Sequence, residues 1–95
     1  MKQYIVWHAK EPTFGFGEQP VFPEAYKRVA IVNSKGPDEV FRVTNHIDSD
    51  WTKNPEVALL MVKQARSTSV GDVVEELRPD GKKFLCDMVG WKEIA

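Results

Sequence analysis

Arg66-Ser67-Thr68-Ser69-Val70-Gly71-Asp72-Val73-Val74 compresses a basic residue, three hydroxyl residues, a Gly-Asp step and the start of a β-branched run into one short stretch. Residues of these types cluster where backbone geometry, rather than bulk hydrophobicity, sets the choice. Ser69-Val70-Gly71-Asp72 fits a single helical turn, with Ser69 as its cap and Asp72 near the freed amides. Val73–Leu77 then reads as a strand. In Arg78-Pro79-Asp80-Gly81-Lys82, proline presets φ and glycine tolerates positive φ, so the chain turns back. Lys83–Val89 returns as the partner strand, with Phe84, Cys86 and Met88 on one face. Gly90-Trp91 closes a C-terminal β-hairpin and Ile94 tucks in its end.

Working towards the N-terminus, Val57-Ala58-Leu59-Leu60-Met61-Val62 is a continuous apolar run. Periodicity alone does not separate helix from buried strand there. Asn54-Pro55-Glu56 resembles a helix start, but the run is short and leads straight into Arg66–Val74, which favours extended structure. Pro37-Asp38-Glu39 opens a helix more clearly, with proline at the first position and acids near the positive end of the dipole. Val40, Phe41, Thr44 and Ile47 follow at helical spacing, which predicts a helix over Pro37–His46 lying on the sheet. Tyr26–Val32 and Gln3–His8 are β-branched and aromatic and read as strands. Lys10–Glu24 is rich in proline and glycine and carries Phe14, Phe16 and Phe22. It reads as a loop pinned over the core, with an aromatic docking surface as the alternative. The fold class is therefore α+β: a small, mostly antiparallel sheet, one main helix on one face, and a C-terminal hairpin.

The chain has 95 residues, enough for one domain with a modest core. Apolar residues make up 42% and charged residues 28%, which argues against disorder. Thirteen basic residues against 14 acidic ones give a net charge of −1, without the basic surplus of a duplex-DNA binder. The one cysteine, Cys86, makes no internal disulfide and no cysteine-rich zinc site, and suits a reducing compartment. No apolar run reaches the roughly 20 residues of a membrane span, and Met1–His8 is too short for a secretory h-region. A soluble cytoplasmic protein with no membrane partner is expected.

The Arg66–Val74 core, the hairpin after it and the closing Gly90-Trp91-Lys92-Glu93-Ile94 resemble the YodL-like domain, which carries an Arg-Ser-Leu-Ser-Val-Ser/Gly-Asp-Val-Val core and a closing Gly-Phe/Trp. Small phage- and plasmid-borne proteins resemble it more closely, adding a stretch like Thr44-Asn45-His46-Ile47-Asp48, Trp51 and Asn54-Pro55. The resemblance covers Thr44–Ile94, about half the chain. Thr68, Gly71 and the insert from Trp51 to Ala65 depart from the domain's shorter form. It implies a small α+β module in a mobile-element setting, and brings no catalytic residue and no cofactor.

His46 with Asp48 and Asp50 is the most enzyme-like group, of the type that binds a metal or supplies a general base. Zinc needs three or four ligands, and a histidine at a helix end before a polar loop is better explained by the last carbonyls. As a calcium loop the segment fails, since Lys53 and Leu59 stand where glycine and glutamate are required. Ser67, Thr68 and Ser69 lack the Gly-x-Ser-x-Gly frame of a nucleophile elbow, and capping accounts for their hydroxyls. Asp72 is read as accepting turn amides and Cys86 as a small hydrophobe. Arg66 answers to no local rule, and with Ser67 and Ser69 it has the makings of an anion site. Trp51, in a polar loop, calls for a partner inside the domain or outside it.

The candidate binding residues are thus Arg66, Ser67, Ser69, Asp72, Asn45, His46 and Trp51, with no catalytic or metal-binding residue assigned and no cofactor. The expected function is a non-enzymatic interaction or regulatory module whose partner is a protein, such as a phage or mobile-element accessory protein. The alternative is single-stranded nucleic-acid binding through Lys27-Arg28, Lys82-Lys83 and the aromatics. A small hydrolase or metal enzyme around His46 is the third reading.

Overall fold

Alternating and β-branched runs build the sheet of this protein. A computed structural model describes residues 2–13, 16–46 and 49–94. The strands are β1 (Lys2–Ala9), β2 (Tyr26–Ser34), β3 (Val57–Leu60), β4 (Val73–Glu76), β5 (Lys83–Cys86) and β6 (Trp91–Ile94). They form one sheet in the order β3-β2-β1-β4-β5-β6, with every neighbouring pair antiparallel. Among the described residues one helix, α1 (Pro37–Thr44), and a 3-10 turn (Trp51–Lys53) complete the elements, so the chain is α+β and weighted towards β. No helix among the described residues is long and apolar enough to cross a membrane.

The register sorts side chains onto two faces. Leu60, Ala30, Val6, Val74 and Phe84 stand opposite one another from β3 to β5. With Tyr4, Val32, Val40, Val43 and Trp51 they belong to, or pack against, the main buried cluster. Each fully buried valine there contributes roughly 1.5–3 kcal/mol relative to an exposed one. On the other face Leu59, Ile31, Ile5, Glu75 and Lys83 form the matching row. Among the described residues a second apolar cluster covers one end of that face. There Phe22 packs edge-on against Trp7 at 5.0 Å and Tyr26 at 5.4 Å, beside Ala9 and Val73. Of the loop phenylalanines, Phe22 is the one held down, Phe16 is exposed, and Phe14 lies outside the described residues.

The helix ends at Thr44, two residues before the expected His46. Asn45 leaves helical geometry while its N–H still reaches the Phe41 carbonyl at 2.8 Å. Its side chain donates instead to the Thr68 carbonyl at 2.6 Å, a tertiary bond that outcompetes another helical residue. Ile47, the last member of the expected stripe, lies outside the described residues. Val57–Leu60 is extended, so the apolar run is an edge strand.

Two expectations at the C-terminal end are corrected. Lys83–Val89 is not one strand. The Asp87 N–H bonds to the Gly90 carbonyl at 2.9 Å and Gly90 takes φ +75°, so the chain reverses and Trp91–Ile94 becomes a sixth strand. Met88, expected beside Phe84 and Cys86, is left exposed in that turn.

In the β4–β5 connection the left-handed residue is Asp80, at φ +55°, not Gly81. Gly81 is needed for space: a Cβ there would lie 2.0 Å from the Glu76 carbonyl oxygen and 3.0 Å from that of Arg78. The backbone closes this tightly because Glu76 Oε1 accepts the Lys82 N–H at 3.0 Å, and Gly81 N–H donates to the Arg78 carbonyl at 3.0 Å. Gly81→Ala is expected to force the turn open and cost ~2–3 kcal/mol, as overpacking does. Urea unfolding measures this, and a midpoint within error of the parent would refute it.

Candidate functional site

The period of β1 places Tyr4, Val6 and His8 on the core face, and ends the strand at Ala9 beside the segment that enters β4. That segment is Ser67–Asp72, held down by the Thr68 N–H on the Thr44 carbonyl at 3.0 Å. Ser69–Asp72 is not a helical turn. The Asp72 N–H donates to the Ser69 carbonyl at 3.0 Å and Gly71 takes φ +98°, which is a β-turn with glycine at its left-handed position. The Asp72 carboxylate reaches back to accept the Ser69 amide at 2.8 Å, the turn-amide contact expected of it.

Asp72 is 1% exposed and its carboxylate is saturated. Oδ1 accepts the Ala9 N–H at 2.9 Å and Arg66 Nη2 at 2.7 Å. Oδ2 accepts Arg66 Nη1 at 2.6 Å and the Ser69 N–H at 2.8 Å. The guanidinium is bidentate, the strong form of this pair. Arg66 also donates to the Ala9 carbonyl at 3.2 Å and the Ser67 carbonyl at 3.0 Å. The residue that no local rule demanded is thus the tie between β1 and the β4 entry.

The remaining candidates gather around it. Trp51, 1% exposed, donates its indole N–H to the Arg66 carbonyl at 2.8 Å, so its partner is internal. The Ser67 hydroxyl donates to the His46 carbonyl at 2.5 Å. His46 itself is exposed, and it meets Ser67 through that backbone oxygen. Arg66, Ser67, Trp51, His46 and Asp50 share the wall of one depression of about 360 Å³. Asp50 accepts the Thr52 amide at 3.0 Å, which closes the 3-10 turn, and Asp48 lies outside the described residues. Among the described residues no group of three or more His, Cys, Asp or Glu is placed to hold a metal ion.

His8 and Thr68 belong to this cluster and were not among the candidates. Their side chains meet at 2.9 Å, and His8 Nε2 lies 3.9 Å from Asp72 Oδ2. Alternation along Tyr4-Ile5-Val6-Trp7-His8 is the signal that pointed His8 inwards. A hydroxyl, an imidazole and a carboxylate make up a nucleophilic triad elsewhere. Here His8 and Thr68 are sealed from solvent, so no substrate atom reaches them in this arrangement. Among the described residues, no buried side-chain nitrogen or oxygen lacks a hydrogen-bond partner. The cluster is a closed polar network rather than an open one. Cys86 is likewise inert, since burial pushes its thiol up to about 11 and keeps it protonated.

Burial dominates at His8 and drives its pKa down to about 4; Asp72 opposes this shift, and Arg66 and Lys27 add to it. The folded state therefore binds the neutral imidazole, while the unfolded chain protonates near 6.5. The contribution is complete above that value and is lost as pH falls from about 6.5 to about 4, at up to ~1.4 kcal/mol per unit. Glu76 extends the loss at lower pH. The Lys82 amide, aided by Arg78 and Lys2, holds its carboxyl at about 2, so its share disappears between about 4.5 and about 2. Urea midpoints measured from pH 7 to pH 4 are expected to fall, and to fall less in His8→Gln. Identical slopes in the two proteins would exclude His8 as the source.

Comparison of the chain with protein-family models, with curated proteins and with solved structures finds no match in any of the three.

Proposed function

We propose that this protein is a non-enzymatic interaction module whose partner is a protein. One contrast carries the reading. The polar groups that chemistry would require are spent inside the Arg66–Asp72 network, whereas large apolar side chains stand uncovered at one sheet edge, with Leu59 52% and Met61 38% exposed. A row of unpaired strand amides beside uncovered apolar side chains is the arrangement that accepts another chain by strand addition. In this reading α1, seated against β2, helps hold that edge, while the C-terminal strands stand at the opposite edge of the sheet. The resemblance of Arg66–Val74 to the YodL-like core supports a mobile-element accessory protein as the setting.

Single-stranded nucleic-acid binding has weaker support. Arg28 lies 5.2 Å from the centre of the Trp7 ring, Trp51 is buried, and Lys83 sits 3.8 Å from Glu75. These rings and cations already have partners, which leaves few for stacked bases and phosphates.

The immobilised chain, exposed to an extract of its source cells, is expected to retain a protein that Leu59→Lys releases and Arg42→Ala keeps. Retention unaffected by Leu59→Lys, or no retention at all, would count against the reading. Binding of an oligonucleotide that added salt abolishes would favour the nucleic-acid alternative instead.

A further inference from the structure

The two edges of the sheet are defended differently. β6 carries Lys92 and Glu93, both exposed, and charges on an edge strand discourage pairing with another chain. β3 carries no such guard. Val57–Val62 contains no charged residue, no proline and no glycine, and Ala58, Leu59 and Met61 are exposed. A register shift opposite Ile31/Val32 is the one irregularity in its pairing with β2.

We infer that the β3 edge is a self-association surface, and that its occupant is β3 of a second copy of this chain, paired antiparallel about a two-fold axis perpendicular to the sheet. The inference rests on the interaction-module reading and names the partner of that same edge.

Three observations select a second copy and its register. The Met61 N–H points inwards, to the Val29 carbonyl at 2.8 Å. By the alternation of a strand, the N–H and C=O of Leu60 then point outwards, available to a neighbour. Leu60 and Val62 pack on the main core cluster, while Leu59 and Met61 are exposed on the opposite face. A two-fold that sets Leu60 against Leu60 of the second copy therefore places Leu59 beside Met61 of that copy, and Met61 beside its Leu59. The two exposed apolar residues cover each other in both directions, which is what an isologous contact requires. Third, Glu56 precedes the apolar run and Lys63 follows it. Antiparallel pairing brings the acidic start of one strand near the basic end of the other, whereas parallel pairing would juxtapose like charges.

The result is one sheet running through both copies. The row Leu59–Ile31–Ile5, exposed at Leu59 and half-buried at the two isoleucines, becomes continuous with its symmetry mate. A contact made by one short strand falls at the small end of the interface size range, so the dimer is expected to be weak and concentration-dependent.

Sedimentation equilibrium of the full chain, from micromolar to millimolar concentration, tests this. The expected result is a reversible monomer–dimer equilibrium. Leu59→Lys and, independently, Met61→Lys are each expected to raise its dissociation constant by ~10–100-fold. Both sites are solvent-facing, so thermal unfolding of dilute samples should stay close to the parent and separate lost association from lost folding. Lys92→Ala, on the opposite edge, should leave the equilibrium unchanged. A parent chain that stays monomeric to millimolar concentration overturns the inference, and so does a dimer as tight in both lysine variants as in the parent. A monomeric chain that still captures a protein through Leu59 overturns the inference but leaves the interaction-module reading standing. A dimer sensitive to Leu59→Lys, with no protein captured, upholds the inference and removes the external partner.

Discussion

Asp72→Ala is expected to destabilise the folded chain by ~3–5 kcal/mol, the usual cost of removing one member of a buried, hydrogen-bonded ion pair. The carboxylate accepts five hydrogen bonds, two from Arg66, one each from the Ala9 and Ser69 amides, and a long one from the Ser69 hydroxyl at 3.5 Å. Alanine leaves the two amides without their acceptor. It also leaves a guanidinium, 29% exposed, with only backbone carbonyls and the Ser69 hydroxyl. Small domains have about 5–15 kcal/mol of stability in all, so the variant should sit near the edge of folding. At ~4–8 °C per kcal/mol for a chain of this size, the melting temperature should drop by ~12–40 °C. Asp72→Asn should do little better, because an amide NH2 replaces an oxygen that faces the guanidinium. Arg66→Lys should fall between, keeping the charge and losing the two-pronged geometry. Calorimetry of the three variants checks the order. A loss under ~1 kcal/mol for Asp72→Ala would mean that the pair adds nothing beyond a surface salt bridge.

The second large effect is at Trp51. Trp51→Ala is expected to cost ~3–5 kcal/mol, as buried aromatic deletions do. The indole is 1% exposed, belongs to the main core cluster, and lies edge-on to His8 at 6.2 Å. Its N–H also satisfies the Arg66 carbonyl. Trp51→Phe separates the two contributions: most of the packing stays, the carbonyl loses its donor, and ~1–3 kcal/mol should remain as the loss. Equal losses for the two substitutions would assign the whole role to the hydrogen bond; no loss for phenylalanine would assign it to packing.

Much of the frame was legible in the sequence because its signals are local. Pro37-Asp38-Glu39 marks where α1 begins, and β-branched alternation marks β1 and β2. The misreadings have physical causes. Met88 continued an alternating pattern, but Gly90 in a left-handed conformation turned the chain first, and a sixth strand went unread. Gly81 was read for conformational freedom when the need was room beside the Glu76 carbonyl. At the site, Arg66, Ser69 and Asp72 lie within seven positions of one another, but Arg66 was read with Ser67 and Ser69 as an anion site and Asp72 apart from it; the carboxylate beside the Arg66 guanidinium is that of Asp72. What they hold could not be read locally. Ala9 is 57 residues from Arg66 and 63 from Asp72, and His8 is 60 from Thr68. Only the fold brings such residues together.

The position of β1 between β2 and β4 has a kinetic consequence. β1 can zip onto β2 across one intervening loop, but its other side stays bare until residues more than sixty positions later arrive. Loop closure over that distance is slow relative to local pairing, so the β1–β4 seam should be the last part of the sheet to form and the first to part. The Arg66–Asp72–Ala9 tie holds one end of the seam, and the Leu77 N–H on the Gln3 carbonyl at 2.9 Å holds the other. Opening there would release β4–β6 as a unit, and the tie thus sets the lifetime of the closed sheet as well as its stability.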